Sequence, residues 1–182
     1  MNLSEIAQVA KAASINLAAA KTNVKNNALA EITKALKQQS DEIVSANKED
    51  LITAEKGNLA GPLLKRLKFD EDKIADVCAG IESLIKLSDP VGKTITATEL
   101  DKGLKLYKVT CPIGVIGVVF ESRPDALVQI SALCLKSGNA VLLKGGSEAV
   151  KTNRILTNII SEASEKAGIT KGWIQLLETR QD

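Results

Sequence analysis

This sequence of 182 residues contains no histidine and very few aromatic residues. Without histidine, the chain cannot form a Ser-His or Cys-His catalytic pair from its own residues. Aromatic residues make up only 2% of the chain, which argues against stacking platforms for single-stranded nucleic acid. The 24 basic and 22 acidic residues leave a formal net charge of +2, too small for a strong phosphate-attracting field. These absences predict that nucleic acid is not a partner.

Long apolar runs and paired cysteines are also missing. No run of 18 apolar residues occurs, and Glu5 interrupts the N-terminal segment, so neither a membrane span nor a secretory signal is predicted. Cys78, Cys111 and Cys134 are odd in number and lack CxxC spacing, which favours reduced thiols over a disulfide framework or a zinc site. We therefore expect a cytoplasmic protein with no membrane partner and no metal.

The first half of the chain has the periodicity of helices. Hydrophobic residues make up 45% of the sequence, enough for a real core. From Leu3 to about Lys56, apolar residues recur at three- and four-residue spacing. An interruption is predicted around Asn23 and Asn26-Asn27, and a new helix start at Ser40. A further helix, capped by Asp70, should follow the glycine breaks of this arm and end near residues 88–90.

The second half has the pattern of an α/β fold. Residues 94–109 predict two strands around an Asp-Lys-Gly turn, a hairpin of the kind that forms interfaces. Residues 114–120 predict a strand buried on both faces, Pro124 starts a helix, and residues 140–144 form a parallel second strand. Ser147 is expected to cap a long helix that reaches Ala167, and residues 173–177 predict a third strand. Three such strands are half of a doubly wound sheet.

This pattern divides the chain into three predicted parts. Residues 1–90 form a helical arm, residues 91–109 form the hairpin as an oligomerisation element, and residues 110–182 form the first βαβαβ part of a Rossmann-like domain. A sheet that stops after three strands leaves an edge and a face to be covered. Either a continuation of the chain or a partner could cover them.

Polar turns follow the first two strands of this predicted sheet. In the first turn, backbone N–H groups from Phe120 onwards lead into a helix, and Arg123 can pair with an anion such as a phosphate. In the second, Lys144 and Glu148 flank two glycines, and an ammonium with a carboxylate suits the hydroxyls of a ribose. A solvated charge pair at a helix start explains Lys144 and Glu148 equally well. Neither turn is a Walker loop or a GxGxxG fingerprint.

The segment CPIGVIGVVFESRPD followed by ALCLKSGNAVLLKGGSEA closely resembles the γ-glutamyl phosphate reductase family of the aldehyde dehydrogenase superfamily. The resemblance covers nearly the whole chain. It implies an NADPH-dependent oxidoreductase of proline biosynthesis that reduces L-glutamyl 5-phosphate to L-glutamate 5-semialdehyde and phosphate, and that forms homo-oligomers. It also implies that the Rossmann-like sheet belongs to an aldehyde dehydrogenase cofactor-binding domain. The cofactor-binding candidates are Phe120, Ser122, Lys144, Ser147 and Glu148, and the candidate for the substrate phosphate is Arg123.

Two turns depart from the superfamily pattern. Gly145-Gly146 replaces a single proline, so the register of Ser147 and Glu148 is less secure than that of Lys144. Glu148 beside a ribose would repel a 2′-phosphate, so either its side chain turns away or its register differs. Glu121-Ser122-Arg123 replaces Pro-Trp-Asn, and an arginine suits a phosphorylated substrate better than a neutral aldehyde.

The resemblance places the nucleophilic cysteine beyond Asp182, so no catalytic residue is predicted here and the isolated chain should be inactive. Cys78 and Cys134 fall on core faces of helices, and Cys111 precedes a strand. Two alternatives stay open. One is a stand-alone nucleotide-binding or interaction module. The other is an NAD-dependent aldehyde dehydrogenase relative.

Overall fold

The computed structural model describes residues 2–121 and 123–178. The predicted cofactor contact Ser122 therefore lies outside the described residues. Helices fill the first part of the chain: α1 (Leu3–Ala18), α2 (Thr22–Gln38), α3 (Ser40–Lys56), α4 (Gly61–Leu67) and α5 (Glu71–Lys86). The predicted cap is present, since the Asp70 side chain accepts a hydrogen bond from the backbone N–H of Lys73 at the start of α5.

The predicted interruption at the asparagines is wrong. Helix α2 runs through Asn23, Asn26 and Asn27, and the chain breaks earlier, between α1 and α2. The reason is tertiary, because the apolar face of α2 is buried in the core and outweighs the weak local preference of asparagine. The new start at Ser40 is confirmed.

The hairpin is also confirmed. Strand β1 (Thr94–Asp101) pairs antiparallel with β2 (Leu104–Val109), and Gly103 takes the positive φ of 80° that the turn needs. Every residue of both strands is exposed. The base of the hairpin is held through Thr110, which donates its hydroxyl to the carbonyl of Pro90 at 2.7 Å.

A parallel three-stranded sheet follows, in the order β3-β4-β5. Its strands are β3 (Val115–Val119), β4 (Ala140–Lys144) and β5 (Ile174–Leu176), joined by the crossover helices α6 (Pro124–Lys136) and α7 (Val150–Lys166). This is the order of the first half of a doubly wound sheet, as predicted. Helix α1 packs on the sheet, and α2, α5, α6 and α7 share its apolar core. None of the described helices is long and apolar enough to cross a membrane.

Two predictions about this half are wrong. Strand β3 is not buried on both faces, since it forms an edge with no strand partner on its outer side among the described residues, and Val119 is 84% exposed. Ser147 does not cap α7, because residues 147–149 form a 3₁₀ turn and α7 begins only at Val150. The α7 cap comes from α3 instead.

Candidate functional site

The carboxyl ends of the three parallel strands meet at one edge of the sheet. The backbone N–H of Phe120 donates to the carbonyl of Lys144 at 3.0 Å, and the N–H of Leu177 donates to Leu143 at 2.8 Å. The Phe120 ring lies directly beside the Gly145 backbone, with Cζ 3.2 Å from the place a Cβ would take. The structure thus brings Phe120 and Lys144 together, as the position of ligand sites in α/β sheets led us to expect.

A cavity of about 340 Å³ lies between the ends of β4 and β5 and the start of α7. Its wall includes the whole Lys144-Gly145-Gly146-Ser147 segment, called the glycine turn from here on. The remaining lining residues come from α7 and from the end of β5: Val150, Asn153, Leu176, Leu177 and Glu178. Phe120 and Arg123 are not among the described lining residues. Phe120 therefore lies beside the glycine turn and outside the described wall of the cavity.

Gly145 permits a buried amide to lie under the glycine turn. A Cβ on residue 145 would approach Cγ of Asn153 to 3.4 Å and the amide nitrogen still more closely. Asn153 is 2% exposed, and its Oδ1 is the buried side-chain atom without a hydrogen-bond partner in the described part of the chain. An amide held so close to the main chain fixes where the glycine turn can run.

Gly146 permits a carboxylate to fold back on the turn. A Cβ on residue 146 would overlap Glu148, with 2.5 Å to its Cδ and 2.6 Å to its Oε2. Glu148 is not one of the described residues that line the cavity, although the four residues of the glycine turn all do. The Glu148 carboxylate thus lies against the glycine turn, outside the described wall of the cavity.

The far rim of the cavity carries an ion pair that the sequence did not suggest. Arg154 binds Glu178 through two hydrogen bonds, of 2.8 Å and 2.9 Å. The hydrogen bond from Arg154 lowers the pKa of Glu178, partial burial raises it, and the charges of Arg154 and Lys144 lower it further. Glu178 follows the third strand directly, so the rule that strand ends converge could have identified it.

Arg123 is already paired in the structure. Its guanidinium donates to the Asp125 carboxylate at 2.9 Å and 3.4 Å, and the hydrogen bond with this carboxylate raises the pKa of Arg123. More than half of the arginine side chain is exposed, at 55%. An anion that binds Arg123 therefore has to compete with Asp125 or share the guanidinium with it.

Helix α7 begins at the cavity and is capped by Asp50 of α3. Asp50 Oδ2 accepts from the N–H of Thr152 at 2.8 Å and from its hydroxyl at 2.7 Å, and Oδ1 accepts from the N–H of Lys151 at 3.2 Å. Asp50 is 5% exposed. A buried carboxylate thus satisfies the first free N–H groups of the helix that carries Asn153.

Two of the three cysteines are placed as structural residues. Cys78 and Cys134 are buried, whereas Cys111 is exposed. Burial raises the pKa of Cys78, and it raises the pKa of Cys134 to about 11. Neither buried thiol has the lowered pKa of a nucleophile.

This arrangement predicts that one thiol of the native protein reacts with Ellman's reagent far faster than the other two. Cys78 and Cys134 should react at least about a hundredfold more slowly than Cys111, because the reagent reaches them only when the structure opens. A colorimetric time course at pH 8 measures this. In a Cys111→Ser variant the fast phase should disappear, and its persistence would contradict the assignment.

Comparison with known proteins gives one consistent result. No family model matches the chain. Over all 182 residues the chain is 65% identical to the γ-glutamyl phosphate reductase of Pelotomaculum thermopropionicum, and covers 42% of that protein. It is 52% identical over 178 residues to the γ-glutamyl phosphate reductase of Methanococcoides burtonii, covering 95% of this chain and 40% of that one. The chain thus spans less than half the length of the curated relatives it matches, and corresponds to their N-terminal portion.

Solved structures agree with this match. The chain superposes on γ-glutamyl phosphate reductase from Thermotoga maritima with a TM-score of 0.95 at 34% identity, over 98% of this chain and 43% of that one. For the Saccharomyces cerevisiae enzyme the TM-score is 0.93 at 43% identity, over 100% and 47%. An acetylating aldehyde dehydrogenase from Geobacillus thermoglucosidasius shares the fold, with a TM-score of 0.70 at 15% identity over 98% and 36%. The predicted aldehyde dehydrogenase type of α/β fold is confirmed.

Proposed function

We propose that this chain, related along its whole length to the N-terminal portion of γ-glutamyl phosphate reductases, supplies the nicotinamide-cofactor site of such an enzyme. The parent reaction is the NADPH-dependent reduction of L-glutamyl 5-phosphate to L-glutamate 5-semialdehyde and phosphate, a step of proline biosynthesis in the cytoplasm. The observation that carries the proposal is the cavity at the carboxyl ends of β4 and β5, with Lys144 and two glycines in its wall. An ordinary NAD-dependent aldehyde dehydrogenase is less well supported, since Arg123 stands in the first turn.

The residues present fit the adenosine half of such a cofactor. The cavity has the volume of a small-ligand site, and the glycine turn offers main chain that a ribose can approach closely. The Lys144 ammonium can donate hydrogen bonds to ribose hydroxyls, and the Ser147 hydroxyl can donate or accept. Phe120 supports the turn from the side of β3. When bound, the cofactor supplies the hydride, and these residues hold and orient its nucleotide end.

Arg123 is proposed to meet the phosphate of the substrate. It stands directly before α6, whose first helical residue is Pro124, and its guanidinium can hold two oxygens of a phosphate at once. Asp125 occupies that guanidinium in the structure, so phosphate binding would exchange one anion for another. The exchange would place the positive charge of Arg123 beside the negatively charged acyl phosphate. An uncharged aldehyde substrate would not need such a charge.

Nucleotide binding and turnover test the proposal separately. Isothermal titration of the 182-residue chain with NADPH should show saturable binding that falls at least about tenfold in a Lys144→Ala variant. Turnover is measured as NADP⁺ reduction with glutamate 5-semialdehyde and phosphate. The chain alone should show none, since it spans only 42% of the length of the γ-glutamyl phosphate reductase that it matches. Absence of NADPH binding, or robust turnover by the chain alone, would refute the proposal.

We also propose that the hairpin joins two copies of the parent protein. A two-stranded sheet is only marginally stable by itself, and the exposed apolar side chains on this one need cover. Leu104 and Leu106 lie on one face of β2 and are 58% and 57% exposed. A second copy would bury them against the same surface in a two-fold interface.

Charge on this face should therefore weaken self-association. Sedimentation equilibrium of the chain should show dimers, and the double variant Leu104→Glu/Leu106→Glu should raise the dimer dissociation constant at least about tenfold, because it places charges in an apolar interface. Lys105→Glu, which changes charge on the opposite face of the same strand, serves as control and should have a smaller effect. A chain that stays monomeric at all concentrations would contradict the proposed role of the hairpin.

A further inference from the structure

The backbone conformation at position 146 does not require a glycine. Residue 146 has φ −67° and ψ 158°, an extended conformation that any residue adopts. Glycine is therefore not needed there for a left-handed turn, in contrast to Gly138 and Gly168, whose φ values are 74° and 96°. Some other property of Gly146 has to account for its presence in the cavity wall.

The neighbours of Gly146 indicate what that property is. The three atoms nearest to a Cβ placed on residue 146 are the two carboxylate oxygens and Cδ of Glu148. The missing side chain thus makes room for one group, the Glu148 carboxylate. This group lies against the glycine turn while the cavity wall itself is formed by Lys144 and the residues around it.

The charges around the cavity make the place of this carboxylate important. Lys144 stands in the wall, and the acidic residue among the described wall residues, Glu178, is bound in two hydrogen bonds by Arg154. A Glu148 carboxylate that swung into the cavity would pair with Lys144 and repel any anion placed there. Two like charges at contact distance in a partly enclosed site weaken binding by at least about tenfold.

Resting on the proposed function, we propose that Gly146 determines the cofactor preference of this site. By giving the Glu148 carboxylate a place against the main chain, it leaves Lys144 free to receive the 2′-phosphate of a phosphorylated dinucleotide. A side chain at position 146 would displace the carboxylate toward the ribose, where it would favour the unphosphorylated 2′-hydroxyl. Because the displaced atoms are the end of a flexible side chain, the substitution itself should be tolerated.

The probes for this proposal are 2′,5′-ADP and 5′-AMP, which differ only in the 2′-phosphate. Their dissociation constants are measured by isothermal titration for the chain and for Gly146→Ala. The unchanged chain should bind 2′,5′-ADP more tightly, and Gly146→Ala should lower this preference at least about tenfold. Thermal unfolding of both proteins checks the fold, and the two midpoints should lie close together.

The background variant Glu148→Gln separates charge from shape. It keeps the length of the side chain and removes the negative charge, so Gly146→Ala introduced into it should leave the preference almost unchanged. An equal loss of preference in both backgrounds would overturn the role of the carboxylate. Binding of both probes with an unaltered ratio in Gly146→Ala would overturn the role of Gly146 and leave the proposed nucleotide site standing. If neither probe binds the unchanged chain, the proposed site fails, and the specificity role fails with it.

Discussion

Replacing Asp89 with alanine should destabilise the protein by roughly 3–5 kcal/mol, because it leaves the ammonium of Lys25 buried without its carboxylate. The Lys25 side chain is 1% exposed, and its Nζ lies 2.7 Å and 2.9 Å from the two Asp89 oxygens. The same carboxylate accepts hydrogen bonds from the Thr22 hydroxyl at 2.7 Å and from the Val91 N–H at 2.9 Å. Asp89 therefore joins α2 to the segment that leads into the hairpin.

A second buried cation increases the loss of stability that is expected for Asp89→Ala. Lys136 is 3% exposed and donates to Asn26 Oδ1 at 2.7 Å. Burial lowers the pKa of Lys136, the charge of Asp89 raises it, and the charge of Lys25 lowers it again. Without Asp89, the two ammonium groups would share a poorly solvated region and would lack the carboxylate that balances them in the structure.

Urea denaturation at pH 7 measures the effect of Asp89→Ala. The matched control is Glu82→Ala, which breaks the exposed pair with Lys37 and should leave the midpoint nearly unchanged. The double variant Lys25→Met/Asp89→Leu should recover much of the loss, because it removes the buried charge together with its partner. A loss in Asp89→Ala no larger than that of the control would show that Lys25 reaches water, against the structure.

The difference in unfolding free energy between the unchanged chain and Asp89→Ala should depend on pH with a defined sign. Burial alone would raise the pKa of Asp89, but the hydrogen bonds from Lys25, Val91 and Thr22 lower it below its ordinary value of 3.8. The stabilisation is therefore complete above the ordinary value and is lost as the pH falls through the lowered pKa. The gap between the unchanged chain and Asp89→Ala should stay constant from neutral pH to about pH 5 and shrink below 3.8.

The second large effect is expected at Asp50. Asp50→Ala leaves the backbone N–H groups of Lys151 and Thr152 without their acceptor inside the protein, at a cost of roughly 2–4 kcal/mol. The damage should extend to the proposed nucleotide site, because α7 begins just after the glycine turn and carries Asn153 under it. Urea denaturation measures the stability, and hydrogen exchange measures the protection of residues 151–157.

Two control substitutions accompany Asp50→Ala, one at position 50 itself and one at the neighbouring position 49. Asp50→Asn keeps one acceptor oxygen and should lose less stability than Asp50→Ala. Glu49→Ala removes a carboxylate that pairs with Lys151 on the surface, where both side chains are more than half exposed, and should change stability little. Unchanged protection at the start of α7 in Asp50→Ala would contradict the capping role.

Elements with strong local signals could be predicted from the sequence. The strand at residues 140–144 is a short apolar run that follows Gly138-Asn139 and ends in Lys144, and its observed bounds match the prediction. The hairpin was identified from its Asp-Lys-Gly turn, because a glycine with positive φ fixes both the turn and the pairing of its strands. Neither prediction needs information from elsewhere in the chain.

Predictions failed where a distant segment decides the local structure. A serine before a helix is the usual cap, yet α7 is capped by Asp50, 102 positions from Thr152. Asparagines usually interrupt helices, yet Asn26 in α2 accepts a hydrogen bond from Lys136, 110 positions away. Such partners depend on how helices pack, which the spacing of residues along the chain does not encode.

The candidate site was predicted only in part for the same reason. Lys144 and the glycine turn were identified because they follow a strand directly. Asn153 was missed, since a single asparagine within a helix carries no signal of its own. Its importance comes from the close approach of Gly145, a distance that only the folded chain defines.

The packing of α1 on the sheet also affects how the chain folds while it is being made. The apolar face of α1 is buried against β4 and its neighbours, yet β4 begins about 120 residues after α1 ends. At roughly 5–20 residues per second, a ribosome would need about 6–24 s to make that segment. For this time Ala10, Ala13 and Leu17 stay without their final partners. Chaperones that bind apolar segments should therefore act on α1 until β4 has emerged.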